Sequence, residues 1–217
     1  MPKASPRENS MRLVIISDTH NRHEELGVLH GDVLIHCGDS GNGFGRTPGE
    51  VDRLDEWFSR QDFKRILCIG GNHDFQLEER VGVRDPVLRH AVYLQDEEVT
   101  IEGLHFYGAP WTPELATWAF YLPSNMMRAK WELIPERTDV LITHTPPLDV
   151  LDRNRHGRAC GCPDLGWRLA DLRPRIHCFG HVHASGGVRE IEGTTYVNAS
   201  MVDSSYKIAR RPHEFDL

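Results

Sequence analysis

The chain has 217 residues, 39% of them hydrophobic, which is enough to bury a real core as one domain, whereas two full domains would each be small. Its 32 acidic against 25 basic residues give a net charge of −7, which excludes a protein held on nucleic acid by bulk positive charge. No apolar run approaches the roughly 20 residues of a membrane helix, and 13 histidines form an excess that asks for a chemical reason.

Residues 1–10, MPKASPRENS, contain no apolar stretch and read as a loose tail, neither signal nor transit peptide, ahead of a single domain over residues 11–217. Five cysteines, an odd number, fit free thiols in a reducing cytoplasm better than a disulfide framework. The first apolar, β-branched run, RLVIIS at 12–17, stops at Asp18-Thr19-His20. The second, 33–36, stops at Cys37-Gly38-Asp39, and the third, 65–69, stops at Gly70-Gly71-Asn72-His73-Asp74. Between the second and third, Thr47-Pro48-Gly49-Glu50 has the form of a helix N-cap with Pro at the first helical position and Glu at the third. Val51, Leu54, Trp57 and Phe58 follow at helical spacing. The order reads βαβαβ, which predicts a parallel sheet with its ligand crevice beyond the carboxyl ends of the strands.

From residue 91 the runs 91–94, 99–101 and 104–107 suggest antiparallel pairing, followed by an aromatic, proline-rich stretch at 107–113 and then Trp118, Phe120 and Tyr121. The earlier pattern returns where 140–143 leads to His144 and 176–179 leads to Gly180-His181-Val182-His183. Two more strand-like runs, 186–191 and 195–198, precede a polar C-terminus. A second sheet is the natural use of the later strands. The expected fold is therefore α/β (α+β), a two-sheet β-sandwich flanked by helices.

Five strand ends thus carry Asp18, His20, Asp39, Asn72, His73, Asp74, His144, His181 and His183. Carboxylate, imidazole and amide oxygen make a mixed N/O donor set suited to Mn, Fe, Zn or Co, with Mn favoured, and lacking the thiolates that soft metals prefer. Seven ligands, Asp18, His20, Asp39, Asn72, His144, His181 and His183, are too many for one tetrahedral ion and suit two divalent ions. Asp39, the lone ligand of its strand, is then the natural bridge. Asp-x-His alone carries no weight, but Gly-Asn-His-Asp is expected by chance only ~0.003 times in a chain of this composition.

In this order the motifs Asp18-x-His20, Gly38-Asp39, Gly71-Asn72-His73-Asp74, His144 and Gly180-His181-x-His183 resemble the calcineurin-like metallophosphoesterase superfamily over most of residues 11–200. The stretches YGAPWTP, WAF, THTPP, CGC and FGHVH followed by TTYVNAS are similar to its metallophosphoesterase-domain-containing branch, whose members hydrolyse phosphodiesters including cyclic nucleotides. The resemblance implies that Asp18, His20 and His183 hold one metal, Asn72, His144 and His181 the other, and that Asp39 bridges them. It implies further that His73 assists the leaving group and that Asp74 orients its imidazole. The expected function is a dinuclear phosphoesterase acting on a small phosphoester or nucleotide, with no stable nucleic-acid complex and no membrane partner. The rivals are a phosphomonoesterase or nucleotide pyrophosphatase on the same metals, and a metal-binding scaffold without turnover.

The remaining candidates have plainer readings. His23, His30, His90, His156 and His213 sit in polar contexts and are expected at the surface, and His36 and His177 lie inside strands as core or supporting histidines. Cys160-Gly-Cys162 lacks the spacing and the second pair of a zinc site. Trp111, Trp118, Phe120 and Tyr121 are expected to pack the core, with stacking on a base as the alternative. Arg153, Arg155 and Arg158 are spaced either to bind substrate phosphate or to solvate a loop, and spacing alone does not decide.

Overall fold

The protein is described by a computed structural model over residues 10–43 and 47–217, so the expected N-terminal tail, apart from Ser10, lies outside the described residues. Strand alternation sets the layers. In β1 (Arg12–Ile16), β2 (His30–His36) and β3 (Asp62–Cys68), Leu13, Ile15, Val33, Ile35 and Leu67 face one way while Val14, Ile16, Leu34, Ile66 and Cys68 face the other. The second set packs under α1 (Glu50–Ser59), whose Val51, Leu54, Trp57 and Phe58 form its apolar stripe. After β3 come α2 (Phe75–Arg80), β4 (Val92–Tyr93), β5 (Glu97–Ile101), β6 (Leu104–Ala109), α3 (Ser124–Trp131), β7 (Val140–Thr143), α4 (Pro163–Leu172) and β8 (Ile176–Phe179). The chain ends in β9 (Gly187–Ile191), β10 (Thr194–Asn198) and β11 (His213–Asp216).

Among the described residues the strands form two mixed sheets, ordered β11-β1-β2-β3-β4 and β5-β6-β7-β8-β10-β9. The inward set of the first sheet meets Phe106, Val140, Ile142, Ile176, Cys178 and Val197 of the second, and α3 and α4 cover the second sheet's other face through Trp131, Leu165 and Leu169. Both faces of the central strands are buried, which is why they read as unbroken apolar runs. Each fully buried Val, Leu or Ile contributes roughly 1.5–3 kcal/mol against the entropy of ordering. No helix among the described residues is long and apolar enough to cross a membrane.

Four local expectations change. The link between β1 and β2 is a single 3-10 turn, His23–Leu26, with no room for an α-helix. α1 begins at Glu50 rather than after Thr47, because Gly49 takes a left-handed φ of 73° and the Glu50 N–H bonds the Thr47 carbonyl as a turn. The polar C-terminus forms an edge strand, with Leu13 opposite Phe215 and Arg12 ion-paired to Glu214. The antiparallel pairing expected from residue 91 holds for β5 with β6, but β4 runs parallel to β3 and β6 parallel to β7; β9 and β10 also pair antiparallel.

Candidate metal centre

The carboxyl ends of β1, β2, β3, β7 and β8 meet at one rim, and the turns that follow them are sharply bent. Asp18, His20, Asp39 and His181 all have left-handed backbone, with φ of 52°, 43°, 55° and 69°. Such conformations cost on the order of 1–3 kcal/mol each and persist only where surroundings over-determine them. Here the turns bind one another: Asp18 N–H donates to Gly38 O (2.9 Å) and His20 N–H to Asp39 O (3.1 Å). His181 N–H donates to both Asp18 oxygens at 3.0 and 3.1 Å. Glycine is required where they touch. A Cβ on Gly180 would lie 2.0 Å from Ser17 Oγ, and one on Gly38, at φ 90°, would lie 2.5 Å from Gly70 O.

The carbonyl oxygens around the rings fix where lone pairs point. His20 Nδ1 lies 3.0 Å from Gly41 O and His144 Nδ1 lies 2.8 Å from Cys37 O; a carbonyl only accepts, so both Nδ1 atoms carry the proton. His20 Nε2 therefore faces inward, 3.1 Å from His183 Nε2, and His144 Nε2 stands 3.0 Å from Asn72 Oδ1. Asn72 Oδ1 is also 2.8 Å from His181 Nδ1, and His183 Nε2 is 3.3 Å from Asp18 Oδ1. Donor atoms of Asp18, His20, Asp39 and His183 lie within 4.8 Å of one another, as do those of Asp39, His144 and His181. Asp39 belongs to both groups. Its Oδ1 accepts from His73 N–H at 2.7 Å. Its Oδ2 is buried with no hydrogen-bond partner among the described residues, while the Nε2 atoms of His144, His73 and His20 stand 3.3, 3.9 and 4.0 Å away.

Electrostatics agree with a site that awaits positive charge. Burial opposes ionisation of Asp18, but the hydrogen bond and charge of His183 hold it well below the usual carboxylate range. Asp39 is held low against burial by His144 and His73. Burial lowers His20 and His181 to about 4, so both are neutral donors of lone pairs at pH 7. Burial also opposes the charged form of His144, yet the carboxylates of Asp39 and Asp18 raise it to about 9, so a proton occupies the place a cation suits. An unpartnered buried carboxylate oxygen ringed by imidazole nitrogens fits a divalent ion, and Asp18, His20, Asp39 and His183, with Asp39, His144 and His181, are two groups that could hold one.

The expected role of Asp74 is corrected. Its Oδ2 accepts from Asp39 N–H and Gly71 N–H, both at 2.8 Å, and its Oδ1 from Ser40 Oγ (2.9 Å) and Gly41 N–H (2.7 Å), so the carboxylate ties two turns together and does not touch the His73 ring. Burial and the neighbouring Asp39 charge push it up to about 6, against those donors. His73 instead has its Nδ1 3.3 Å from the Asn42 carbonyl, with its ring centroid 4.5 Å from Trp118 and 6.1 Å from Tyr206.

Other expectations divide. His36 and His177 are buried supports, contacting Thr19 Oγ1 (3.0 Å) and Thr143 Oγ1 (2.8 Å) beside the metal-binding turns. His23 is buried against Trp57 instead of lying at the surface, and His213 is half-buried in β11, while His30, His90 and His156 are exposed. Phe120 belongs to the core and Trp111 bonds Asp96, whereas Trp118 lies beside His73 and Tyr121 is half-buried. Cys162 is buried against Trp131, and Cys160 is half-exposed.

A cavity of about 450 Å³ opens on the centre, and Asn154, Arg155, His156 and Tyr206 also line it. Tyr206 was given no role by its polar context, yet its ring lies 4.8 Å from that of His20 and 5.0 Å from that of His183. Asn198 and Arg210 were also missed: Asn198 Nδ2 donates to Val182 O at 3.0 Å, and Arg210 donates to His183 O at 2.7 Å, fixing the last turn. Neither has a local sequence signal, because each acts through backbone brought near by the fold. A larger, open groove of about 1170 Å³, lined by the end of α1, β3 and residues 81–93, contains none of the metal-centre residues.

Two sheets flanked by helices, with strand-end Asp, Asn and His gathered at one rim, define a metal-dependent phosphoesterase fold. Residues 11–204 match the model of the calcineurin-like phosphoesterase superfamily domain, and the chain belongs to that superfamily. It is 36% identical to metallophosphoesterase domain-containing protein 1 of Homo sapiens, and equally to that of Mus musculus, over 95% of this chain and 71% of each relative. The fold is also that of phosphopantetheinyl hydrolase from Mycobacterium tuberculosis, with a TM-score of 0.60 at 17% identity, over 89% of this chain and 90% of that one.

Proposed function

We propose that the chain is a cytoplasmic dinuclear phosphodiesterase, with cyclic nucleotides among the candidate substrates and manganese the favoured metal. In this reading Asp18, His20 and His183 would hold one ion and Asn72, His144 and His181 the other, with Asp39 serving both. The observation that carries it is Asp39 Oδ2, buried, without a hydrogen-bond partner among the described residues and shared by both donor groups. Two divalent ions supply positive charge for the phosphoryl oxygens and a water of lowered pKa. His73 does the remaining proton work. A carbonyl accepts only, so Asn42 O keeps a proton on Nδ1; a second proton, on Nε2, is the one the departing oxygen would take, leaving the neutral ring still bonded to Asn42 O. The rings of Trp118 and His20 pack against the imidazole at 4.5 and 4.8 Å. Space favours a diester, because the cavity continues past the ligand atoms to Tyr206 and the hairpin beyond, room for a second ester arm.

The test is hydrolysis of bis(p-nitrophenyl) phosphate and p-nitrophenyl phosphate with Mn²⁺. The expected result is a higher kcat/KM on the diester. A higher value on the monoester assigns the centre to a phosphomonoesterase, and turnover of neither ester, nor of any nucleotide, overturns the enzyme reading.

A further inference from the structure

The cavity is lined by metal-centre residues and by Asn154, Arg155 and His156 of a loop over residues 147–162, whose tip is a short hairpin bridged between Arg153 and Ala159. The loop is closed at its base by a parallel bridge, Leu148 N–H to Cys162 O (3.1 Å) and Cys162 N–H to Pro146 O (2.8 Å). Midway, the buried Asp152 carboxylate accepts from Asp149 N–H and Gly161 N–H, both at 3.0 Å. At the tip, Asn154 Oδ1 accepts from His156 N–H (2.9 Å) and Arg158 N–H (3.1 Å). Ser185 Oγ donates to Arg153 O at 2.6 Å, which ties the hairpin to the turn carrying His183. An exposed loop with this many internal bonds is pre-organised, and its tip is placed relative to the metal centre.

The three arginines of this hairpin are not equivalent. Arg153 spends its guanidinium on Asp149 Oδ1 (2.7 Å) and Gly157 O (3.2 Å). Arg158 lies 3.9 Å from Glu114 and is not part of the cavity wall. Arg155 lines the cavity, and its Nε donates to His156 Nε2 at 3.0 Å. Its two Nη groups have no protein acceptor among the described residues, so this exposed side chain, held at one edge, keeps its other, forked edge for a ligand. That edge matches the paired oxygens of a phosphate or carboxylate. With the scissile phosphate at the metal centre, Arg155 is left for a further anion on the same substrate.

We propose that Arg155 is a specificity-determining residue that binds a second anionic group, a phosphate or a carboxylate, on the ester arm of the substrate lying towards the hairpin. The inference rests on the phosphoesterase reading above and narrows it. A cyclic mononucleotide carries one anion and leaves Arg155 idle, whereas a diester with a further phosphate or carboxylate engages both the metal centre and Arg155.

Calorimetric titration of the Mn²⁺-loaded full chain tests this with ethyl phosphate and with α,ω-alkanediol bisphosphates of two to six carbons. Having two ends improves binding twofold by statistics alone. At least one spacer is expected to bind 10-fold or more tighter than ethyl phosphate. That advantage should fall to about twofold in Arg155→Ala and in Arg155→Glu, and only partly in Arg155→Lys, which keeps the charge but not the fork. A parallel series of ω-phosphoalkanoates tells a carboxylate from a phosphate as the preferred second anion. The proposal is overturned if no spacer exceeds twofold, or if the advantage survives in Arg155→Ala. Turnover of bis(p-nitrophenyl) phosphate is scored separately: turnover without any spacer advantage removes this inference alone, whereas no turnover and no binding of ethyl phosphate remove both.

Discussion

The half of the centre around Asp18, His20 and His183 carries a carboxylate of its own, whereas the half around Asn72, His144 and His181 offers a neutral amide oxygen in the corresponding place. Burial does not divide them, since each half has one partly exposed ligand, His183 in the first and His181 in the second. One half is therefore richer in negative charge, and the other leans on the shared Asp39. Charge governs how tightly an ion is held. Two sites built from the same strand-end turns can in this way have distinct affinities.

The largest effect is expected from Asp39→Asn, since both halves draw on that carboxylate. kcat/KM should fall by roughly 10³-fold, ~4 kcal/mol, and elemental analysis should show metal lost from both sites. A variant that keeps one full equivalent of metal and most of its activity would show that the halves do not share Asp39. The next effect separates them. Titration with Mn²⁺ should resolve a tighter and a weaker step, and Asp18→Asn should weaken the tighter one roughly 100-fold, at least the upper end of what losing an outer-sphere partner costs. Asn72→Ala should weaken the other step and leave the tighter one in place. If Asp18→Asn and Asn72→Ala weaken the same step, the division into halves is wrong.

How much of this was legible in the sequence follows from distance along the chain. The strands that end in ligands were readable, because burial on both faces leaves continuous apolar runs in β1, β2, β3, β7 and β8. The residues that gather at the rim were readable because each sits within a few positions of the end of its strand. Asp74 was misread because its neighbour in sequence, His73, is not its partner in space; its four donors come from residues 39–41 and 71. β11 was missed because an edge strand half-covered by solvent loses the apolar signal, leaving only Phe215 and Leu217 packed on the core. Arg155 could not be told from Arg153 and Arg158, since what distinguishes it is which donors are already spent.

The smallest expected effect probes what supports each half from below. His36 stands under Thr19 in the first half and His177 under Thr143 in the second, each with a buried Nδ1 lacking a partner among the described residues. Thr143 Oγ1 already donates to Thr145 O at 2.7 Å, so His177 must donate to it from Nε2. Protonation would then place charge and an unmet donor on Nδ1 inside the core. Burial accordingly lowers both imidazoles to about 3. With the folded value below the unfolded value near 6.5, the unfolded chain binds more protons, and stability falls as pH drops from about 6.5 towards about 3. Each histidine should cost about 1.2 kcal/mol between pH 7 and pH 5.5, from ~1.4 kcal/mol per pH unit below the unfolded value. Urea unfolding of metal-free His177→Gln, whose amide can still donate to Thr143, should lose that share of the pH dependence, and His36→Gln should lose as much. Equal losses mean the two halves rest on equivalent supports despite their unequal charge; a pH slope unchanged from the parent in either variant would mean that its histidine already takes up a proton in the folded state.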